Sequence, residues 1–242
     1  MKRLLDLLLA IIGLLVCWPL FLVAAVLIKL DSPGPLIFKQ ERMGRGFCPF
    51  FIHKFRTMVS DAPRKGGALT AGGDPRITRA GRILRQTKLD ELPQLINVVM
   101  GDMSLVGPRP EVRKYVELFR KNYETILTVR PGITDLASIK YRDESAILAA
   151  SDDPEAEYVR RILPDKLRLA EEYVQRSSLS LDLLLIFKTL LKLIPRGTPF
   201  PYVEESPTAC RKLSDHEVSL HSGSFVNRDA NRDAPLSGPR NL

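Results

Sequence analysis

Cysteine and histidine are scarce in this 242-residue sequence: Cys17, Cys48 and Cys210 are its only thiols, and His53, His216 and His221 its only imidazoles. An odd number of cysteines, one of them inside an apolar run, argues against a disulfide framework and for a reduced compartment. The six residues show no zinc-ligand spacing, so a structural zinc site is not expected. Aromatic residues make up 7% of the chain and do not alternate with the basic ones as base-stacking platforms would, which counts against nucleic acid as a partner. Positive charge, in contrast, is plentiful. Thirty-six Lys and Arg against 28 Asp and Glu leave a formal charge of +8, which points to anionic lipid headgroups or phosphorylated substrates. A chain of this length holds one domain with a real core and at most one appended segment.

From Leu7 to Ile28 no residue is charged. A helix of that length reaches about 33 Å, roughly one hydrocarbon thickness. Its insertion is favourable by about 8 kcal/mol, whereas centring Asp6 would cost about 3, so the membrane segment begins after that residue. Lys2 and Arg3 ahead of an apolar run, with Val23-Ala24-Ala25 behind, resemble a signal peptide, but the run is too long for one. Pro19 removes a backbone donor and clashes with the carbonyl of Leu15, which predicts a kink. Two topologies stay open. A kinked helix can still span. A helical hairpin that enters and returns would instead leave both flanks in the cytoplasm, as Lys2 and Arg3 before it and Lys29, Lys39, Arg42 and Arg45 after it prefer.

Beyond the turn-rich Asp31-Ser32-Pro33-Gly34-Pro35, residues 36–39 and 50–55 read as short strands of a hairpin around Gly44 and Gly46. Residues 66–74 hold four glycines and little apolar content, which predicts a lid or disorder. From Val112 the apolar positions Tyr115, Val116, Phe119, Tyr123, Ile126 and Leu127 follow helical spacing. A second helical stretch runs over 155–176, interrupted at Pro164. Residues 179–194 are nearly all Leu, Ile and Phe with a narrow polar stripe of Asp182, Lys188, Thr189 and Lys192, which suits either a helix in the headgroup plane or a buried core helix. After Pro195 the composition is that of a disordered tail.

The densest polar cluster is 82–95, where Arg82, Arg85 and Lys88 lead into Asp90 and Glu91 just ahead of Pro93. Carboxylates at a helix start are favoured by the dipole, which also attracts phosphate. Thr87 followed three residues later by Asp90 equally fits a capping box, which would make the pair structural. In Gly107-Pro108-Arg109-Pro110 two prolines brace one guanidinium, and Arg130-Pro131-Gly132 repeats the device. Proline-braced Arg109 and Arg130, with Arg85, beside a carboxylate pair suggest a phosphoryl-transfer site.

These blocks carry a family resemblance. Lys39-Gln40-Glu41-Arg42, Lys54-Phe55-Arg56-Thr57-Met58, Asp74-Pro75-Arg76-Ile77-Thr78, Leu89-Asp90-Glu91-Leu92-Pro93-Gln94, residues 101–110 and 130–134 together resemble the bacterial sugar transferases. That family comprises the monotopic phosphoglycosyl transferases that begin glycan assembly on undecaprenyl phosphate, and the likeness runs from Lys2 to Arg196. It implies a helix-rich α/β (α+β) fold in three parts: a re-entrant membrane helix over 1–31 broken at Pro19, a small cytosolic catalytic domain with short strands over 32–196, and a tail over 197–242. The Leu-rich helix near residue 185 is then interfacial, on the cytoplasmic face of the bacterial inner membrane. It implies that Asp90 attacks the β-phosphate of a UDP-sugar, releases UMP and passes the phosphosugar to polyprenyl phosphate. Glu91 is then its dyad partner, Mg²⁺ is held at Asp90 and Glu91, and Arg142 joins the arginines near substrate phosphate. Where many relatives continue with Gly-Trp after Pro-Gly-Ile-Thr, this chain has Asp135 and Leu136. The reading from another class is a non-catalytic, membrane-tethered basic module that binds anionic lipid.

Overall fold

The computed structural model describes residues 1–65, 69–70 and 72–193. The tail expected after Pro195 lies outside the described residues, as do residues 66–68 and 71 of the glycine-rich segment. The helices are α1 (Lys2–Asp31), α2 (Ala62–Lys65), α3 (Arg79–Gln86), α4 (Gln94–Met100), α5 (Arg113–Leu118), α6 (Arg120–Ile126), α7 (Leu136–Lys140), α8 (Glu144–Ala149), α9 (Pro154–Glu157), α10 (Leu163–Arg176) and α11 (Leu179–Leu193). Four short strands complete the fold. β1 (Ile37–Met43) and β2 (Pro49–Phe55) form an antiparallel hairpin, longer than the sequence suggested, in which Phe38 faces Lys54 and Arg42 faces Phe50. β3 (Ser104–Val106) and β4 (Gly132–Thr134) pair in parallel. The architecture is the expected helix-rich α/β type.

Helix α1 is unbroken over 30 residues, Pro19 included, and is the one described helix long and apolar enough to cross a membrane. Small residues set how it packs. Ala10, Ala24 and Ile28 are buried on one face, and Gly13 lies so near Leu95 of α4 that a Cβ there would come within 3.2 Å. Leu8, Leu15, Trp18, Leu22 and Val26 stay exposed on the other. Both ends of α1 are fastened to the same body of the protein. At the start, Lys2 Nζ reaches Asp182 Oδ2 at 2.6 Å and Arg3 Nη1 donates to the Val98 carbonyl at 2.6 Å, while the buried Asp6 accepts from Ser104 Oγ at 2.8 Å. At the end, Asp31 Oδ2 accepts from the Ala80 amide at 2.9 Å.

The single helix expected from Val112 is instead two, α5 and α6, with Phe119 at φ −118° and ψ 39° between them. The apolar face survives the break, since Tyr115, Val116, Tyr123 and Ile126 all enter one core with Leu148, Tyr158, Ile162 and Leu167. The interruption near Pro164 takes the form of a π-turn, Tyr158–Ile162, joining α9 to α10. Proline cannot supply the i to i−4 bond, and a wider turn just before it absorbs the loss. Helix α11 is not a buried core helix: Leu185 is buried, but Leu183, Leu184, Phe187, Leu190 and Leu191 are exposed.

Candidate active site

The chain reverses sharply between α3 and α4, and that reversal presents the carboxylate pair. Thr87 ends α3, its hydroxyl donating back to the Ile83 carbonyl at 2.8 Å, so it caps no helix start and the capping-box alternative does not hold. Lys88 then adopts a left-handed conformation, φ 58°, and Leu89–Glu91 form one 3₁₀ turn. Leu89 and Leu92 pin this turn by packing beside Phe55 and Leu84. Asp90 and Glu91 are thereby turned into a cavity of about 1190 Å³, lined also by Lys54, Arg85, Lys88, Arg109 and Arg142.

Glu91 is tied down. Arg109 embraces it with two donors, Nη1 to Oε2 at 3.2 Å and Nη2 to Oε1, and Lys54 Nζ reaches Oε1 at 3.2 Å. Burial works to raise its pKa, but Arg109 and Lys54 outweigh that and hold Glu91 well below the usual carboxylate range. Lys54 is pushed down by the same burial, against the pull of Glu91. Asp90 is the opposite case. It is 8% exposed, its Oδ1 has no hydrogen-bond partner, and burial together with the Glu91 charge pushes its pKa up despite Lys54, Arg85 and Lys88. One carboxylate is therefore saturated by cations and its neighbour holds an unengaged oxygen.

Arg109 is braced as its prolines suggested, but the agents include backbone. The Gly107 amide donates to the Thr134 carbonyl at 3.1 Å and the Gly132 amide to the Pro108 carbonyl at 3.0 Å. The two glycines touch so closely that a Cβ on Gly132 would lie 2.1 Å from the Gly107 nitrogen. Asp135 accepts from the Arg109 amide at 3.1 Å and caps α7 through the Ser138 amide at 2.6 Å. The residues that replace Gly-Trp thus serve the scaffold, for Asp135 is buried, Leu136 packs beside Tyr173 and Leu185, and neither lines the main cavity.

Arg85 comes from the last turn of α3, and its Nε donates to Thr57 Oγ1 at 2.9 Å. Arg142 lines the cavity, and its carbonyl lies 3.5 Å from Lys88 Nζ. Arg130 does not line the cavity. Its Nε donates to the Gly101 carbonyl at 2.9 Å, beside the Val98 and Val99 carbonyls that Arg3 takes, so two guanidiniums cap the negative end of α4. Pro19 likewise sits away from this pocket, inside α1.

Sequence reasoning passed over Lys54 as a site residue, as it did Glu111. Glu111 joins Arg42 at 3.2 Å and Tyr158 at 2.5 Å on the cavity wall, with Lys166 beside them paired to Glu144. Strand alternation was the available signal: Arg42 and Lys54 fall on one face of the hairpin. Among the described residues no group of three or more His, Cys, Asp or Glu could hold a metal. Mg²⁺ asks for less, one or two carboxylates completed by water and substrate phosphate, and the orphaned Asp90 oxygen fits that demand.

A buried carboxylate with an unpartnered oxygen thus shares its cavity with Lys54, Arg85, Lys88, Arg109 and Arg142 among other cations. Residues 1–196 match the family model described as bacterial sugar transferase, and the chain belongs to that family. Its relatives include a UDP-N-acetylgalactosamine-undecaprenyl-phosphate N-acetylgalactosaminephosphotransferase of Aeromonas hydrophila, 41% identical over 192 residues that cover 78% of this chain and 42% of the relative. Exopolysaccharide production protein PSS of Rhizobium leguminosarum bv. phaseoli is 40% identical over 208 residues, 83% of this chain and 98% of the relative. A UDP-glucose:undecaprenyl-phosphate glucose-1-phosphate transferase of Caulobacter vibrioides is 38% identical over 196 residues, 80% of this chain and 69% of the relative. The chain spans less than half the length of the Aeromonas protein and nearly all of the Rhizobium one.

Proposed function

We propose that this chain transfers a sugar 1-phosphate from a UDP-sugar to polyprenyl phosphate, with Asp90 as the nucleophile, at the cytoplasmic face of a bacterial inner membrane. The observation that carries this reading is the asymmetry of the carboxylate pair. Glu91 spends both oxygens on Arg109 and Lys54, whereas Asp90, which lines the cavity, has no hydrogen-bond partner for its buried Oδ1. In the first step an Asp90 oxygen bonds to the β-phosphorus, the bond from that phosphorus to the bridging oxygen breaks, and UMP departs with the electron pair. In the second, a phosphate oxygen of the polyprenyl acceptor bonds to the same phosphorus and the carboxylate is expelled. The products are UMP and a polyprenyl diphosphosugar. Splitting one transfer between two large anions into two displacements is the benefit of covalent capture. A carboxylate meeting a diphosphate is repelled, and the guanidinium of Arg85, held by Thr57, together with that of Arg142 on the cavity wall, offsets that as charge moves to the leaving group. Arg109 acts from behind, holding Glu91 ionised. Mg²⁺, held by Asp90 with Glu91 beside it, would supply further neutralisation of the diphosphate.

The exposed apolar faces of α1 and α11 support a seat on lipid. The fastening of both ends of α1 to one body supports a re-entrant rather than a spanning helix. The relatives' names include both N-acetylgalactosamine and glucose donors, so the sugar is to be found by a panel that begins with UDP-N-acetylhexosamines. Purified protein incubated with that panel, Mg²⁺ and polyprenyl phosphate should release UMP, and Asp90→Asn should release none. Mass spectrometry of protein quenched during turnover should find a phosphosugar on residue 90. An unmodified residue 90 in active protein would overturn the assignment, and no release from any UDP-sugar would leave the basic lipid-binding module.

A further inference from the structure

Thr57 lies two residues beyond the end of β2, and its surroundings are unusually constrained. The residue is 7% exposed. Its carbonyl accepts from the Thr78 amide at 3.1 Å and lies against Gly81, where an added Cβ would come within 2.0 Å of that oxygen. Helix α3 is therefore laid straight onto the Thr57 backbone, with glycine at the point of contact. The same residue then reaches the helix a second time, Oγ1 accepting from Arg85 Nε at 2.9 Å.

An arginine side chain has many rotamers and loses about 2 kcal/mol of entropy when fixed, so an unheld guanidinium makes a poor fork. Here the Nε edge is occupied. The terminal nitrogens make no hydrogen bond to any described residue, and Arg85 lines the cavity that contains Asp90. Burial lowers its pKa while Asp90 and Asp74 act against that, so the cation sits within the field of the free carboxylate. We infer that Thr57 is a positioning residue that sets the Arg85 fork toward the substrate diphosphate. Arg85 touches substrate and Thr57 acts through it. This rests on the function proposed above.

Full-length protein in detergent micelles, with UDP as the probe, supplies the test by calorimetry. Thr57→Val removes the acceptor and keeps the shape, and should weaken UDP binding about tenfold, the scale of one hydrogen bond to a charged group. Thr57→Ala should do the same, whereas Thr57→Ser, which keeps the oxygen, should stay within about twofold of wild type. Arg85→Gln should weaken binding at least as much, and adding Thr57→Val to it should change nothing further. A structural role alone would lower the melting temperature and leave no such non-additivity. Wild-type affinity in Thr57→Val and Thr57→Ala, or independent multiplication of their effects with that of Arg85→Gln, would overturn the inference while leaving UMP release by the wild type intact. A wild type that neither binds UDP nor releases UMP would remove the proposed function along with it.

Discussion

Asp90→Asn is expected to make this protein more stable as it makes it inactive. The side chain is 8% exposed, Oδ1 has no partner, and burial and the Glu91 charge together outweigh Lys54, Arg85 and Lys88, so folding raises the pKa of Asp90 and makes its charge costly. An unsatisfied buried polar group costs about 1 to 3 kcal/mol and a charged one more, so asparagine, which keeps the shape and removes the charge, recovers only the excess that the charge adds. A net gain of about 1 to 2 kcal/mol, at about 2 to 4 °C per kcal/mol for a chain of this size, gives a rise in Tm of about 2 to 8 °C. Its pH dependence is the diagnostic part. A carboxyl whose pKa is raised by folding adds stability that is fully present below the unfolded pKa, about 3.9, and is lost as pH rises through the folded value. Wild type and Asp90→Asn should therefore converge near pH 4 and separate toward pH 8. Thermal unfolding in detergent across that range, with UMP release measured on the same samples, reads both quantities. A variant less stable at pH 8, or a gain that persists undiminished to pH 4, would refute the account of Asp90 as an electrostatically unsatisfied group.

Gly81→Ala should destabilise by about 2 to 4 kcal/mol, because its Cβ would meet backbone rather than a movable side chain, and chemical denaturation should show the loss. Arg109→Met leaves Glu91 with Lys54 alone and should cost about 3 kcal/mol in the same assay while abolishing UMP release. Replacing the exposed Leu184 and Phe187 together by serine should release protein from membranes in a flotation assay with little change in Tm, since each side chain forfeits about 2 kcal/mol of partitioning but no internal packing. Pro19→Ala should favour a straight spanning helix, moving a cysteine placed at the N-terminus from cytoplasmic to external labelling. An N-terminus already external in the wild type would defeat the re-entrant topology.

The elements that depend on local pattern were legible in the sequence. The uncharged run became α1, the short strands read at 36–39 and 50–55 lie within the hairpin, and the apolar period from Tyr115 to Ile126 became one wall of the core. What escaped depends on single backbone conformations or on contacts between distant segments. Nothing in Thr87-Lys88 announces that Lys88 turns left-handed, yet that one residue moves the carboxylates from a helix start into a tight turn. Arg109 and Arg130 looked alike because each stands before proline, and only the packing of β3 on β4 decides which faces the cavity. Lys54 heads one of the blocks that carry the resemblance, but nothing in that block tells which group it faces until Glu91 is placed 3.2 Å away.

The end of the hairpin also works as a linkage. Lys54 and Thr57 hold Glu91 and Arg85, while between them Phe55 stacks edge-on against Phe21 of α1 and Arg56 clasps the Ser32 and Pro33 carbonyls, at 2.7 and 2.6 Å, where α1 exits. Of four consecutive side chains, the outer two thus hold Glu91 and Arg85 and the inner two hold α1 and its exit. On the function proposed above, a shift of the helix exit by tension or thinning of a bilayer would be felt at the diphosphate site through these contacts, and UMP release should then differ between micelle and nanodisc.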